Sequence, residues 1–96
     1  MNVQDAMGRL SGILMKEGQD RYQFACRKAN LFVTLLGART PVRFAPRDRV
    51  AFRIDTASLT VEDIRTRAVR RKFPWNRIES VAAGEPESDN SDLFQG

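Results

Sequence analysis

The sequence predicts an all-β fold: a small barrel with one N-terminal helix and an acidic C-terminal tail. Two observations lead to this prediction. Short segments in which apolar and polar residues alternate are separated by turn residues, and no helical pattern lies between them. Alternation indicates half-buried strands, because successive side chains point to opposite faces of a sheet. A chain of 96 residues forms one domain with a modest core. We expect the domain to span residues 1–83 and a flexible tail to span residues 84–96.

Residues 41–54 carry the clearest pattern. Arginines alternate with apolar residues on both sides of Pro46-Arg47-Asp48, and the apolar residues are Val42, Phe44, Val50, Phe52 and Ile54. Proline lacks a backbone donor and favours a turn, as does aspartate. The segment predicts a strand, a turn and an adjacent strand. Phe52 is expected to be fully buried, and Arg43, Arg49 and Arg53 to share the solvent face.

The N-terminal segment predicts a helix over residues 3–17. Its apolar residues follow the spacing of one helix face: Val3, Ala6, Met7, Leu10, Ile13 and Leu14. Asn2 is a good N-cap and Gly18 a natural end. The alternative is that residues 10–15 already form a strand with a bend at Gly12.

The remaining strands are predicted from shorter patterns. Residues 21–27 alternate, with Cys26 as a small buried hydrophobe, and residues 31–36 are apolar on both faces, as in a central buried strand. Residues 58–61 form another strand, while residues 61–68 are ambiguous: residues 62–64 fit the start of a short helix, and residues 64–69 fit a strand. Pro74-Trp75 indicates a turn or 3₁₀ step before a last strand. Short strands at such spacing are typical of small barrels of the SH3-like, Sm-like or OB type.

Composition argues against catalysis. The chain has no histidine and one cysteine, which excludes Ser-His and Cys-His pairs, histidine metal sites and an internal disulfide. We therefore expect a protein that is not an enzyme and has no cofactor or metal. No apolar run approaches a membrane span, and the N-terminus lacks the apolar core of a signal peptide. These features predict a cytoplasmic protein without a membrane partner.

The charge distribution favours an anionic partner. Residues 1–80 hold sixteen bases against eight acids, a net charge of +8, and thirteen of the bases are arginine. Arginine binds phosphate with two parallel hydrogen bonds and stacks on bases. The sequence therefore predicts a nucleic-acid interface (RNA or single-stranded DNA) whose phosphates lie on Arg43, Arg49, Arg53, Arg65, Arg67, Arg70, Arg71 and Lys72.

Two aromatic residues lie within the second half of this set. Phe73 and Trp75 are expected either to stack on bases beside the arginines or to anchor the core. The arginines themselves have a simpler interpretation as a solvated strand face whose charges discourage edge pairing. A second hypothesis is a protein-interaction module, in which the basic face binds an acidic protein and the apolar helix stripe forms a homo-oligomer.

The C-terminal segment differs from the body. Residues 81–96 hold four acids and no base, a composition typical of disorder. We expect this tail either to be an inert solubilising segment or to compete with anionic ligands for the arginines. Acidic residues before the terminal Leu93-Phe94 resemble the protein-docking tails of bacterial single-strand-binding proteins, which implies a protein partner for the tail.

Two segments also resemble a bacterial RNA-binding family. An N-terminal helix before a barrel, the segment 31–36 and the closing segment 76–81 are similar to the Hfq-type Sm proteins, which bind RNA as rings. About forty residues separate the two segments, whereas that family joins them by a short hairpin. The segment 41–54 is equally similar to OB-type modules. The resemblance implies a small barrel and RNA as ligand, and it transfers no functional residues.

Overall fold

Eight strands and one helix account for most of residues 1–84, the part of the chain that the computed structural model describes. The helix is α1 (Val3–Leu10), and the strands are β1 (Leu14–Lys16), β2 (Arg21–Phe24), β3 (Asn30–Leu35), β4 (Val42–Phe44), β5 (Val50–Ile54), β6 (Ser58–Asp63), β7 (Val69–Pro74) and β8 (Ile78–Gly84). The mostly β prediction is confirmed. The four acids and Leu93-Phe94 of the predicted tail lie outside the described residues.

The strands form two antiparallel sheets. One sheet has five strands in the order β1-β2-β5-β6-β7, and the other has three in the order β4-β3-β8. No ladder joins the two sheets within residues 1–84, so the closed form of the predicted barrel is not observed. One apolar core nevertheless joins both sheets and α1. Phe44 of β4 illustrates this, because its ring contacts Phe52 of β5 and Phe73 of β7 at 6.0 and 6.2 Å between centroids.

The segment 41–54 has the predicted elements but a different pairing. Two strands flank a 3₁₀ turn at Pro46–Asp48, and Phe52 is fully buried, as predicted. However, β4 pairs with β3, whereas β5 pairs with β2 and β6. The turn therefore carries the chain from one sheet to the other and does not close a hairpin. Arg43 and Arg53 consequently lie on different sheets and do not share one solvent face.

The predicted helix is correct only in its first part. Asn2 caps α1 by accepting the Asp5 N–H at 2.8 Å, and the helix packs against β8 through Ala6 and Leu10. The chain then turns at residues 11–13 and continues as β1, which pairs with β2. The alternative of a strand over residues 10–15 is thus correct only for residues 14 and 15, which belong to β1. Each glycine weakens a helix by about 1 kcal/mol relative to alanine. The pairing of β1 with β2 therefore prevails over the apolar periodicity that predicts a longer helix.

Three further predictions are corrected. The predicted strand 21–27 ends at Phe24, and Cys26 is exposed in the connection that follows. Strand β3 is central in its sheet, as predicted, but it is not fully buried, because Phe32 is partly exposed and Leu36, just after it, is 60% exposed. Residues 64–68 form neither a helix nor a strand. There the Asp63 carboxylate accepts the N–H groups of Arg65 and Thr66, both at 2.9 Å, and so closes a turn.

Two predicted features of the periphery can also be assessed. The 3₁₀ step before the last strand is present at Trp75–Arg77. Within the described part of the chain, no helix has the length and apolarity needed to cross a bilayer.

Candidate functional site

An open groove of about 570 Å³ lies where the Pro46–Asp48 turn meets the end of β2. The polar residues of its lining are Gln23, Arg27, Arg47 and Arg49, and the apolar residues are Phe24, Pro46, Val50 and Ile64. We call this site the basic groove. Among residues 1–84, three guanidinium groups line it and no carboxylate does.

The 3₁₀ turn fixes the positions of two of these arginines. Pro46 opens the turn, and the Asp48 carboxylate accepts the Ala45 N–H at 2.8 Å, which ties the turn to its own entry. The Asp48 carboxylate, the one acidic group of segment 41–54, is therefore hydrogen-bonded to the backbone. Arg47 and Arg49 flank Asp48 and are both exposed.

Arg49 adopts a left-handed backbone conformation. Its φ is +55°, its N–H donates to the Pro46 carbonyl at 3.2 Å, and its own carbonyl accepts the Ile64 N–H at 3.1 Å. A residue with a Cβ is strained in this region, and glycine is not. Such strain recurs at binding sites, because surrounding contacts hold a side chain where it is needed. Here the contacts hold Arg49 in the wall of the basic groove.

The other part of the lining comes from the end of β2 and the connection that follows it. Arg27 is exposed in this connection, where the Lys28 N–H donates to the Cys26 sulfur at 3.4 Å. Phe24, at the end of β2, is partly buried and packs edge-to-face on Phe52, with 5.3 Å between centroids and 83° between ring planes. The groove thus has a charged rim and an apolar floor that the core supports.

The ion pairs of the described residues lie elsewhere. Glu62 accepts from Arg21 at 2.8 Å and from Arg53 at 3.0 Å, and we call these three residues the ion-pair cluster. Arg27, Arg47 and Arg49 form no ion pair within residues 1–84. Uncompensated arginines in a concave site concentrate a positive potential that attracts anions.

Of the predicted interface residues, only Arg49 lines the basic groove. Arg53 belongs to the ion-pair cluster, and the hydrogen bond to Glu62 raises the pKa of its guanidinium. Arg53 and Arg67 line a separate cleft of about 250 Å³ that also contains Glu17 and Asp20. Because carboxylates share this cleft, it is a weaker candidate for an anion.

Arg70 is engaged by the protein as well. Its guanidinium donates to the Asp63 carboxylate at 2.7 Å and to the Asp48 carbonyl at 3.1 Å. The Thr66 N–H, the Arg70 side chain and the Arg65 N–H, in this order, hold the pKa of Asp63 well below its usual range. Arg70 therefore stabilises the turn after β6, whereas Arg43, Arg65 and Lys72 remain exposed on other parts of the surface.

The two predicted stacking residues are core residues. Phe73 is 3% exposed and Trp75 is 6% exposed, and the indole Nε1 donates to the Asp55 carbonyl at 2.6 Å. The Arg71 guanidinium lies 4.9 Å from the centroid of the Phe73 ring. Neither ring is exposed enough to receive a base, so their alternative role as core anchors is the one that the structure supports.

Three of the groove residues that the predicted interface lacks come from one place in the chain: Gln23, Phe24 and Arg27. Each lies near the end of β2, and β2 reaches the turn only because it pairs with β5, where Tyr22 faces Phe52. This pairing is non-local, and no sequence signal reveals it. The prediction places Arg47 in the turn and outside the interface, although its position two residues before Arg49 in an arginine-rich segment favours the interface.

No protein-family model, curated protein or solved structure matches the chain. The similarity to Hfq-type Sm proteins and to OB-type modules thus has no support beyond the short segments that carry it. A function has to be inferred from the side chains of this chain.

Proposed function

We propose that the protein is not an enzyme and binds nucleic acid, with the phosphate backbone lying in the basic groove. One observation carries the proposal: Arg27, Arg47 and Arg49 converge from two separate parts of the chain on one open groove, and no carboxylate among residues 1–84 lines it. Electrostatic contact with phosphates supplies most of the non-specific affinity of proteins for nucleic acid. The planar guanidinium matches two phosphate oxygens at once.

The type of small barrel is also part of this proposal. The single core that joins both sheets is consistent with an open form of an SH3-like, Sm-like or OB-like barrel, and OB barrels are partly open. The choice among the three stays a prediction, as do a cytoplasmic location and a homo-oligomer. The apolar stripe of α1 supports a homo-oligomer less than expected, because Ala6 and Leu10 pack inside the chain.

The left-handed conformation of Arg49 allows a sharp test. Arg49→Gly removes the guanidinium and also relieves the backbone strain, so the fold should be retained. Arg67→Gly is a matched control: Arg67 also has a positive φ, +66°, and it lies outside the basic groove. Both variants lose one positive charge, so a difference between their affinities measures the contribution of the groove position.

Binding is measured by fluorescence anisotropy with a labelled oligothymidylate over a range of salt concentrations. Arg49→Gly should weaken binding several-fold at low salt and lower the log-salt slope by about 0.7 for each phosphate that the protein no longer neutralises. Arg67→Gly should change binding much less. Equal effects of the two substitutions would remove the groove from the interface. Absence of wild-type binding at low salt, with binding of polyglutamate retained, would reject nucleic acid in favour of an acidic protein partner.

A further inference from the structure

We propose that the basic groove takes single-stranded nucleic acid, with one unpaired base stacked on Phe24 and the flanking phosphates on the arginines. This inference rests on the proposed function and specifies its ligand. Phe24 lines the groove together with Arg27, Arg47 and Arg49. Many proteins bind single strands without sequence preference through aromatic rings that lie beside arginines.

Phe24 has the surroundings of a stacking platform. The ring is partly exposed, and its perpendicular packing on Phe52, which is fully buried, restricts its movement. A side chain fixed in this way loses little conformational entropy when a ligand binds. Phe24 therefore offers a preorganised apolar surface inside a charged rim.

The other aromatic side chains of residues 1–84 do not line the groove. Phe44, Phe52, Phe73 and Trp75 are buried in the core. Tyr22 and Phe32 are partly exposed but lie outside the groove lining. A base that enters beside the three arginines thus meets Phe24.

Duplex nucleic acid does not fit this arrangement. Bases within a duplex are stacked on their neighbours, so a ring on a protein wall can reach a base face only where the strand is unpaired. A duplex would contact the arginines through phosphates but would gain nothing from Phe24. The geometry hence predicts a preference for single strands that depends on the Phe24 ring.

The test compares three ligands of equal length: an oligothymidylate, a strand of abasic sites and a duplex. Wild-type protein should bind the oligothymidylate at least about fivefold more tightly than the abasic strand, which corresponds to one stacked base. Phe24→Leu, which keeps an apolar side chain, should lose this preference and bind the abasic strand like wild type. Phe24→Tyr should retain the preference, and Arg49→Gly should weaken binding to both strands alike.

A second measurement does not depend on the stability of any variant. Wild-type protein is photocrosslinked to an oligonucleotide that contains 5-iodouracil, digested with trypsin and sequenced by mass spectrometry. The crosslink should lie on Phe24, within the tryptic peptide of residues 22–27. A crosslink confined to another peptide would overturn the proposal.

The outcomes also separate this inference from the proposed function. If wild type binds oligothymidylate and abasic strand equally while Arg49→Gly weakens both, the phosphate groove stands and stacking on Phe24 is wrong. If the duplex binds as tightly as the single strand, the preference for unpaired bases is wrong. If no nucleic acid binds at low salt, both proposals fail.

Discussion

The basic groove and the ion-pair cluster use the same residue type in opposite ways. Each brings several arginines together, but in the cluster a carboxylate lies between them. The Arg21 and Glu62 side chains are 8% and 5% exposed and 2.8 Å apart, and Arg21 also donates to the Ile64 carbonyl at 3.1 Å. In the groove, Arg27, Arg47 and Arg49 are exposed and form no ion pair within residues 1–84.

This difference assigns the two regions different roles. The cluster joins three neighbouring strands, because Arg21 lies on β2, Arg53 on β5 and Glu62 on β6. The one carboxylate of Glu62 is shared by two guanidinium groups, and Arg21 also lies 3.5 Å from Glu17. Removing Glu62 should therefore reduce stability. The groove arginines hold no strand in place through an ion pair, so removing one of them should reduce binding. Substitutions in the two regions can therefore test whether stability and binding are separate.

The largest effect is expected at the centre of the cluster. Glu62→Gln removes the buried counter-charge of Arg21, which keeps only the more exposed Glu17 carboxylate as an ion-pair partner. Unpairing a buried charge costs about 3–5 kcal/mol, so we expect a loss of up to this size. Glu62 is the nearer partner of Arg21, at 2.8 Å, whereas the Arg21 Nε has no hydrogen bond among the described residues and lies 3.5 Å from Glu17. Urea unfolding of Glu62→Gln should show this loss of stability, and Glu79→Gln, which changes an exposed carboxylate on β8, should show almost none. Similar unfolding midpoints for the two variants would contradict a structural role for the cluster.

The next prediction concerns binding, which should depend on the groove and not on the cluster. Arg47→Gln should weaken oligothymidylate binding several-fold at low salt and reduce the log-salt slope, whereas Arg53→Gln should change the affinity by no more than about twofold. Both substitutions remove one charge, so only the location differs. Anisotropy titrations at two salt concentrations suffice. If Arg53→Gln weakens binding as much as Arg47→Gln, the cluster is part of the interface and the separation is wrong.

The sequence predicted elements better than pairings. Alternation in residues 41–54 correctly indicated that Phe52 and its apolar neighbours on β5 are buried. It was less accurate for Val42, which is only partly buried, and for Ala51, which is fully buried although it lies on the other face of the strand. Alternation sets the face of each side chain but does not specify which sheet a strand joins. The expected common face of Arg43 and Arg53 was therefore wrong, although both strands and the turn were right.

The same is true of the candidate site, where the sequence did not reveal which residues strand pairing brings together. Arg49 was predicted because it alternates with the apolar residues of the second strand of segment 41–54, although the structure places it just before β5. Phe24 and Arg27 were missed because only the non-local pairing of β2 with β5 brings them to that turn. The hydrogen bond between Arg53 and Glu62 could not be predicted either, because the two residues meet only as diagonal neighbours across the β5–β6 ladder.

A smaller, pH-dependent effect is expected at Asp63. The Thr66 N–H and the Arg70 guanidinium lower its pKa in the folded protein, so its ionisation stabilises the fold above its ordinary pKa. This stabilisation is lost as the pH falls through the lowered pKa. The difference in melting temperature between wild type and Asp63→Asn should thus be largest near neutral pH and shrink below about pH 4. A difference that stays constant down to about pH 2 would show that the Asp63 charge does not stabilise the turn.

The smallest expected effect concerns the acidic segment 85–96. Strand β8 ends at Gly84, which pairs with Asn30, and Asn30 follows Arg27 by three residues. A segment of twelve residues has a maximal reach of about 40 Å. A tethered segment is present at an effective concentration on the order of millimolar. Its four acids can therefore compete with phosphates for the arginines of the basic groove.

Deletion of residues 85–96 should tighten oligothymidylate binding severalfold at low salt, and the gain should vanish as salt screens both competitors. The melting temperature should remain nearly unchanged. A control of full length replaces the four acids by their amides (Glu85→Gln, Glu87→Gln, Asp89→Asn and Asp92→Asn) and should reproduce the gain, because charge and not bulk is responsible. In an Arg49→Gly background the gain should be smaller, since one of the contested cations is gone. Equal affinities of full-length and truncated protein at low salt would show that the segment does not compete, and that the groove arginines are as accessible in the intact chain as in the truncated one.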